Sequence, residues 1–237
     1  MLYGVQRYVK GEAMTEARRR PGPKRALTQD DVLDAALRLM DADGPVAASI
    51  RRIAGELGVT PNAVYTYFAD KAAIEQALVE RLLGEVNAAA PATGGWRADL
   101  ELLAVEIRAR LVAHPGAVPL FLSGAMNGPQ ALLLGERLLD RLSAAGLDRA
   151  AGARGAYLIM VYVLGAIALE VADQPHAGVL PPEAERIAAR AAAWGEVPAD
   201  RFPRTAAATD VMATWIGTDQ YLWGLRRLLD SFAGLRS

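Results

Sequence analysis

Around position 60 the sequence places an amide, a phenol and two hydroxyls within seven residues: Thr60, Asn62, Tyr65 and Thr66, with Pro61 between the first two. At 3.6 residues per turn, Pro61, Asn62, Tyr65 and Thr66 share an arc of about 140°. Ala63, Val64, Tyr67 and Phe68 fall on the opposite side. A short helix here therefore carries one face for a core and one of hydrogen-bonding groups. Amides, phenols and hydroxyls of this kind suit base edges and phosphate oxygens.

The flanking residues supply what such a helix needs. Thr60 is placed as its N-cap, Pro61 fits the first helical position, and Val59 with Val64 forms a hydrophobic staple. Immediately before it, Ser49 caps a helix to Leu57, with Ile50, Ile53, Ala54 and Leu57 at i, i+3, i+4, i+7, and Gly58 closes it. Two short helices joined through one glycine are the geometry of a helix-turn-helix, whose second helix enters the major groove. Upstream, Thr28 and Asp31 resemble a capping box and Leu27 with Val32 a staple, starting a helix that Asp43-Gly44-Pro45 ends. Downstream, Asp70 caps a fourth helix with Ile74, Leu78 and Leu82 inward. Such helix pairs also occur in all-α proteins that do not bind DNA.

The remainder fits an all-α chain. Hydrophobic residues make up 52% and charged residues 22% of 237, which excludes a disordered tail. No segment alternates at period two. With no cysteine and only His114 and His176, disulfides, thiolate zinc sites and histidine-rich metal sites are not expected, nor is any cofactor. The stretch 88–95 breaks the pattern, so a reading domain over residues 28–88 is followed by a second helical domain over 89–237. In the second, helices are expected at about 97–113, 116–123, 129–145, 148–172, 182–194 and 209–232, with 195–208 an irregular connection.

Residues 1–27 read as an extension and flexible arm; Met14 opens a more usual N-terminus, so 1–13 are expected to be a start-site or vector artefact. Arg18, Arg19, Arg20, Lys24 and Arg25 place five positive charges in eight positions, a stretch able to follow a minor groove. No signal peptide is visible. The uncharged run from Gly155 to Leu169 is short for a membrane span and reads as a core or dimer helix. A cytoplasmic protein without membrane contact is expected.

The stretch from Ser49 to Lys71 resembles the tetracycline-repressor-like (TetR) family. The matching features are Ile53-Ala54, Leu57-Gly58-Val59, then Val64-Tyr65 with Tyr67-Phe68, and Lys71. The resemblance is specific over about 28–85. It is weaker at the C-terminus, where 219–225 through Leu229-Asp230 looks like the family's closing helix. It implies a helix-turn-helix domain and a ligand-binding, dimerising domain. Thr60, Pro61, Asn62 and Tyr65 then match recognition-helix positions, and Tyr65 and Tyr67 the phosphate backbone. Lys71 matches a lysine that meets a phosphate at a helix N-terminus. Thr28 and Arg51 are further backbone contacts, and Thr66 completes the set. Structural roles remain open beside these: Lys71 as a solvated charge, Tyr67 as core, Thr28 and Thr60 as caps.

A twofold dimer reads two half-sites of a palindromic operator, so a homodimer is expected. Val161, Leu164 and Ala168 along one long apolar helix, and Leu222, Leu225 and Leu229 along the last, fit its interface. His114, Phe121, Met126, Asn127 and Tyr157 lie near breaks at Pro115 and Pro129 and are candidate walls of a small-molecule cavity. The expected function is a homodimeric repressor released from its DNA operator by a small-molecule effector. The alternatives are an interaction protein of the same fold controlled by a protein partner, or an all-α enzyme. Against the enzyme, no GxSxG, Walker, HExxH or EF-hand pattern is present.

Overall fold

The computed structural model describes residues 26–88, 94–123, 126–173 and 178–233; the basic arm lies outside them. Every regular element among the described residues is helical.

Helix α1 (Gln29–Asp43) starts with the complete capping box: Asp31 N–H donates to the Thr28 hydroxyl at 3.1 Å, and Thr28 N–H to the Asp31 carboxylate at 2.9 Å. Each such cap contributes about 1 kcal/mol. It buries Val32, Leu33, Ala36, Leu37 and Met40 and stops at Gly44, whose φ of 83° suits glycine. Then come α2 (Ile50–Glu56), α3 (Pro61–Tyr65) and α4 (Lys71–Asn87). The turn between α2 and α3 pivots on Gly58 at φ 64°, with Val59 N–H donating to Ala54 C=O at 2.9 Å. Ile53, Val64, Ile74 and Leu78 close the small core against α1.

The second half contains α5 (Trp96–Ala113), α6 (Val118–Ser123), α7 (Pro129–Ala144), α8 (Arg149–Ala172), α9 (Glu183–Trp194), α10 (Pro203–Ala206), α11 (Thr209–Ala213) and α12 (Thr218–Ala233). Helix α6 is preceded by a 3-10 turn, Pro115–Ala117. Two sequence expectations need correction. The helix expected over 209–232 is broken: a 3-10 turn at Thr214–Ile216 and extended backbone at Gly217 separate α11 from α12. Glu183 stabilises the break, accepting from the Thr218 N–H at 3.0 Å and its hydroxyl at 2.7 Å. The stretch 195–208 also contains the short α10. Helix α8 is long and apolar enough to cross a membrane by length and composition, with 28% of its apolar window buried inside the protomer.

Two joints connect the halves. Asp41 on α1 accepts from Gly116 N–H at 3.1 Å and pairs with His114 Nδ1 at 2.9 Å. A side chain at Gly116 would collide with the Met40 carbonyl, 2.1 Å away, so only glycine lets the chains approach here. On α4, Glu80 accepts from Gln130 N–H at 2.7 Å and so caps α7, while Asn87 donates to the Gln130 carbonyl at 2.9 Å.

Candidate nucleic-acid interface and cavities

On α3 the two faces separate as the spacing predicts. Val64 and Phe68 are buried, while Thr60, Pro61, Asn62, Tyr65 and Thr66 are exposed. Tyr65 keeps 52% of its surface in water. Thr60 has the extended backbone of an N-cap, yet its hydroxyl makes no capping bond, correcting that expectation. Thr66 donates to the Asn62 carbonyl at 3.1 Å, which holds its hydroxyl along the helix.

The residues around α3 are held by the fold. Tyr67 is half-buried and its hydroxyl donates to the Leu27 carbonyl, fixing where the N-terminal arm leaves the domain. Lys71 Nζ donates to the Pro45 carbonyl at 3.0 Å and pairs with Glu75 at 3.2 Å, so its charge sits at the start of α4 beside the α1–α2 connection. Arg51 is exposed on the first turn of α2, whereas its neighbour Arg52 is tied to Asp43 at 2.5 Å. Thr28 is spent on its capping box. Thr60, Asn62 and Tyr65 thus present donors and acceptors outward at α3, and Arg51 is exposed on the preceding α2, groups of the kind that groove reading uses.

The five residues expected to wall one cavity are not brought together. Met126 and Asn127 line a recess of about 400 Å³ with Gln76, Val79 and Glu80 of α4. His114 is the C-cap of α5 and serves the Asp41 joint. Phe121 is core, and Tyr157 is 69% exposed on α8.

A larger cavity, about 780 Å³, lies elsewhere, between α8, α9, the 214–216 turn and α12. Its walls include Tyr162, Leu169, Trp215 and Tyr221, with Glu170, Asp173, Arg190 and Gln220 as polar members. Behind it Arg108 of α5 grips Glu170 with two bonds of 2.8 Å, Glu183 at 2.9 Å and Thr218 at 2.7 Å; Arg186 adds a bond to Glu170 at 2.7 Å. Burial opposes the Arg108 charge, but Glu170 and Glu183 hold its guanidinium above the ordinary value. Burial also opposes ionisation of Glu183, yet the Thr218 bonds and Arg108 keep its carboxyl below the usual range. Tyr221 is pushed well up, chiefly by burial, and its hydroxyl donates to the Ala104 carbonyl at 2.7 Å. Local periodicity cannot reveal contacts spanning 62 to 117 positions in sequence. One signal was available: Glu170 is the lone acid closing a fifteen-residue uncharged run.

The expected dimer residues also divide. Leu225 and Leu229 are fully buried inside the protomer and cannot meet a partner; Leu164, Ala168 and Leu222 are half-buried and Val161 is 51% exposed. The outward apolar residues are Tyr157, Leu158, Val161 and Leu169 on α8, Trp215 before α12, and Trp223 on α12.

Comparison with known proteins covers both halves. Residues 32–78 match the family model described as bacterial regulatory proteins, tetR family, and 88–236 match the tetracyclin repressor-like C-terminal domain. An HTH-type transcriptional regulator of Saccharopolyspora erythraea is 31% identical over 183 residues, covering 75% of this chain and 78% of that protein. The HTH-type transcriptional repressor DrrR1 of Streptomyces coeruleorubidus is 33% identical over 166 residues, 69% of this chain and 62% of its own length. The crystal structure of a possible TetR family transcriptional regulator from Streptomyces coelicolor A3(2) superposes with a TM-score of 0.73 at 29% identity, over 88% of this chain and all of that one.

Proposed function

Because the chain belongs to the TetR family of bacterial regulatory proteins, we propose that it is a homodimeric, cytoplasmic repressor whose α3 reads a palindromic operator and which a small-molecule effector releases. The carrying observation is the divided surface of α3, with Val64 buried and Asn62 and Tyr65 outward. Asn62 and Thr60 read base edges; Tyr65, Thr66, Arg51 and the α4 start at Lys71 hold phosphates. Pro61 sets the approach of the helix, and Tyr67 and Thr28 fix the base of the arm.

The dimer forms through the outward apolar residues of α8 and α12, Val161 among them, with the half-buried Leu164, Ala168 and Leu222 at its edge. This covers the face that would otherwise leave α8 exposed to water. An effector acts by favouring a spacing of the two α3 helices that no longer matches the operator. The protein binds and does not catalyse.

The test is titration of the purified protein against labelled DNA from upstream of its own gene, followed by selection from random sequence, at two salt concentrations. Saturable binding weakened by Tyr65→Ala, by Lys71→Ala and by salt supports the reading. Failure on both DNA sets overturns it and favours a protein-controlled interaction module.

A further inference from the structure

Residues 28–88, which carry α3, contain ten acidic side chains and five basic ones, a net charge of −5. Four of the five cations are already paired with carboxylates of the same domain. Arg38 meets Glu56 at 3.5 Å, Arg52 meets Asp43 at 2.5 Å, Lys71 meets Glu75 at 3.2 Å and Arg81 meets Asp34 at 2.7 Å. Arg51 alone enters no ion pair among the described residues.

Such a domain is poorly charged for its partner. Duplex DNA carries one negative charge per about 1.7 Å of its axis, and sequence-independent affinity comes from cations that displace its condensed counterions. One unpaired arginine per protomer supplies little of that. The five cations of 18–25, Arg18, Arg19, Arg20, Lys24 and Arg25, offset the deficit in full. We infer that this arm supplies most of the charge that neutralises DNA phosphates, so that the salt dependence of binding resides largely outside the folded reading head. This deepens the reading of the chain as a DNA-binding repressor and rests on it.

The fold puts the base of the arm where that task requires it. Leu27 packs against the core, and its carbonyl receives the Tyr67 hydroxyl. Tyr67 lies just past the end of α3, two positions from the exposed Tyr65. Arg25 is two positions upstream of that anchor, so the first cation starts beside the helix that enters the groove. From Leu27 to Arg18 an extended chain spans at most about 30 Å. The major groove is about 12 Å wide, so the arm reaches phosphates beyond the groove that α3 occupies.

The competing partner for the arm is the domain's own acidic surface. Exposed ion pairs within one protein contribute little, because water screens them and both side chains must be held. Each phosphate contact instead releases a condensed counterion, a gain that accumulates over every cation of both arms of a dimer. At low salt the duplex wins.

The experiment measures binding of full-length protein to a labelled duplex of random sequence from about 50 to about 200 mM sodium chloride. One variant combines Arg18→Gln, Arg19→Gln, Arg20→Gln, Lys24→Gln and Arg25→Gln. A second combines Arg18→Lys, Arg19→Lys, Arg20→Lys and Arg25→Lys. At about 0.9 units of salt slope per phosphate, the five cations carry at most about 4.5 units per protomer. The Gln variant should lose more than half of the wild-type slope and bind at least about 100-fold more weakly at the lowest salt. The Lys variant should keep the slope. Both should match wild type in circular dichroism, because the Leu27 anchor and the Thr28 cap are untouched. An unchanged slope in the Gln variant, a lost slope in the Lys variant, or tighter binding by the Gln variant would overturn the inference; the last would put the arm on the domain's own carboxylates. The two claims fail separately. If wild type binds DNA and the Gln variant keeps its slope, the repressor reading stands and the arm assignment falls. If wild type binds neither this duplex nor DNA selected from random sequence, both fall.

Discussion

The carboxylate of Glu80 on α4 receives the backbone N–H of Gln130 at 2.7 Å, so the helix that follows the reading head caps α7 of the C-terminal bundle. Gly128 lies against the same carboxylate: a Cβ there would stand 2.3 Å from Glu80 Oε1. With the Asp41–Gly116 bond on α1, this gives the reading domain two short, directional ties to the rest of the molecule. Both ties end on backbone N–H groups, so each fixes a helix of the reading domain against the chain of the bundle.

A double-mutant cycle should expose that tie. Glu80→Ala loses the α7 cap, worth about 1 kcal/mol. Gly128→Ala forces the Glu80 side chain off its position and is expected to lose a similar amount. In the double variant nothing is left to collide, so the losses should fall short of their sum by at least about 0.5 kcal/mol. Guanidinium unfolding of the four proteins measures this; simple additivity would mean that Glu80 does not hold α7.

Groove and backbone contacts should separate by sequence and salt. Asn62→Ala is expected to weaken the selected operator by about 1–3 kcal/mol and to relax preference at one base pair per half-site. Arg51→Ala should weaken all sequences alike and reduce the salt slope by about one unit per half-site. Competition binding with single-base operator variants, repeated over a salt series, distinguishes the patterns. Identical profiles for the two variants would refute the assigned roles.

The reading head was legible because its information is local. Thr28 with Asp31, Gly58 and the Val64–Phe68 spacing each act within a few residues, and the caps and faces formed where the pattern put them, Thr60's hydroxyl excepted. The cavity was not legible. Glu170, Arg108 and Thr218 come from three distant helices, and no periodicity ties them. On α12 the apolar residues form a stripe, but a stripe does not say whether it faces its own bundle or a second copy. Gly217 was likewise hidden, because α12 starts where Glu183 on another helix supplies the cap.

That ambiguity on α12 gives a third prediction. Leu225 is 0% exposed and Trp223 60% exposed, two positions apart. Leu225→Ala should lower unfolding free energy by about 2–5 kcal/mol. Trp223→Ala should leave protomer unfolding nearly unchanged but shift sedimentation towards the monomer and weaken operator binding at low protein concentration. If Trp223→Ala sediments as wild type at every concentration tested, α12 does not form the dimer contact.

The buried Tyr221 phenol sets an alkaline limit on stability. In the unfolded chain it ionises near pH 10; folded, burial pushes its pKa far above that, so the native state holds the proton more tightly. The resulting stabilisation is present in full below about pH 10 and is lost progressively as pH rises beyond it. Tyr221→Phe should therefore show a shallower fall in the guanidinium midpoint between about pH 9 and pH 11, read by far-ultraviolet circular dichroism. At pH 7 the same variant should lose about 1 kcal/mol, because the Ala104 carbonyl no longer receives its bond. Tyr162, raised in the same direction by burial, leaves part of the slope in place. An unchanged alkaline slope in Tyr221→Phe would mean that Tyr221 is not the group whose proton the folded state retains.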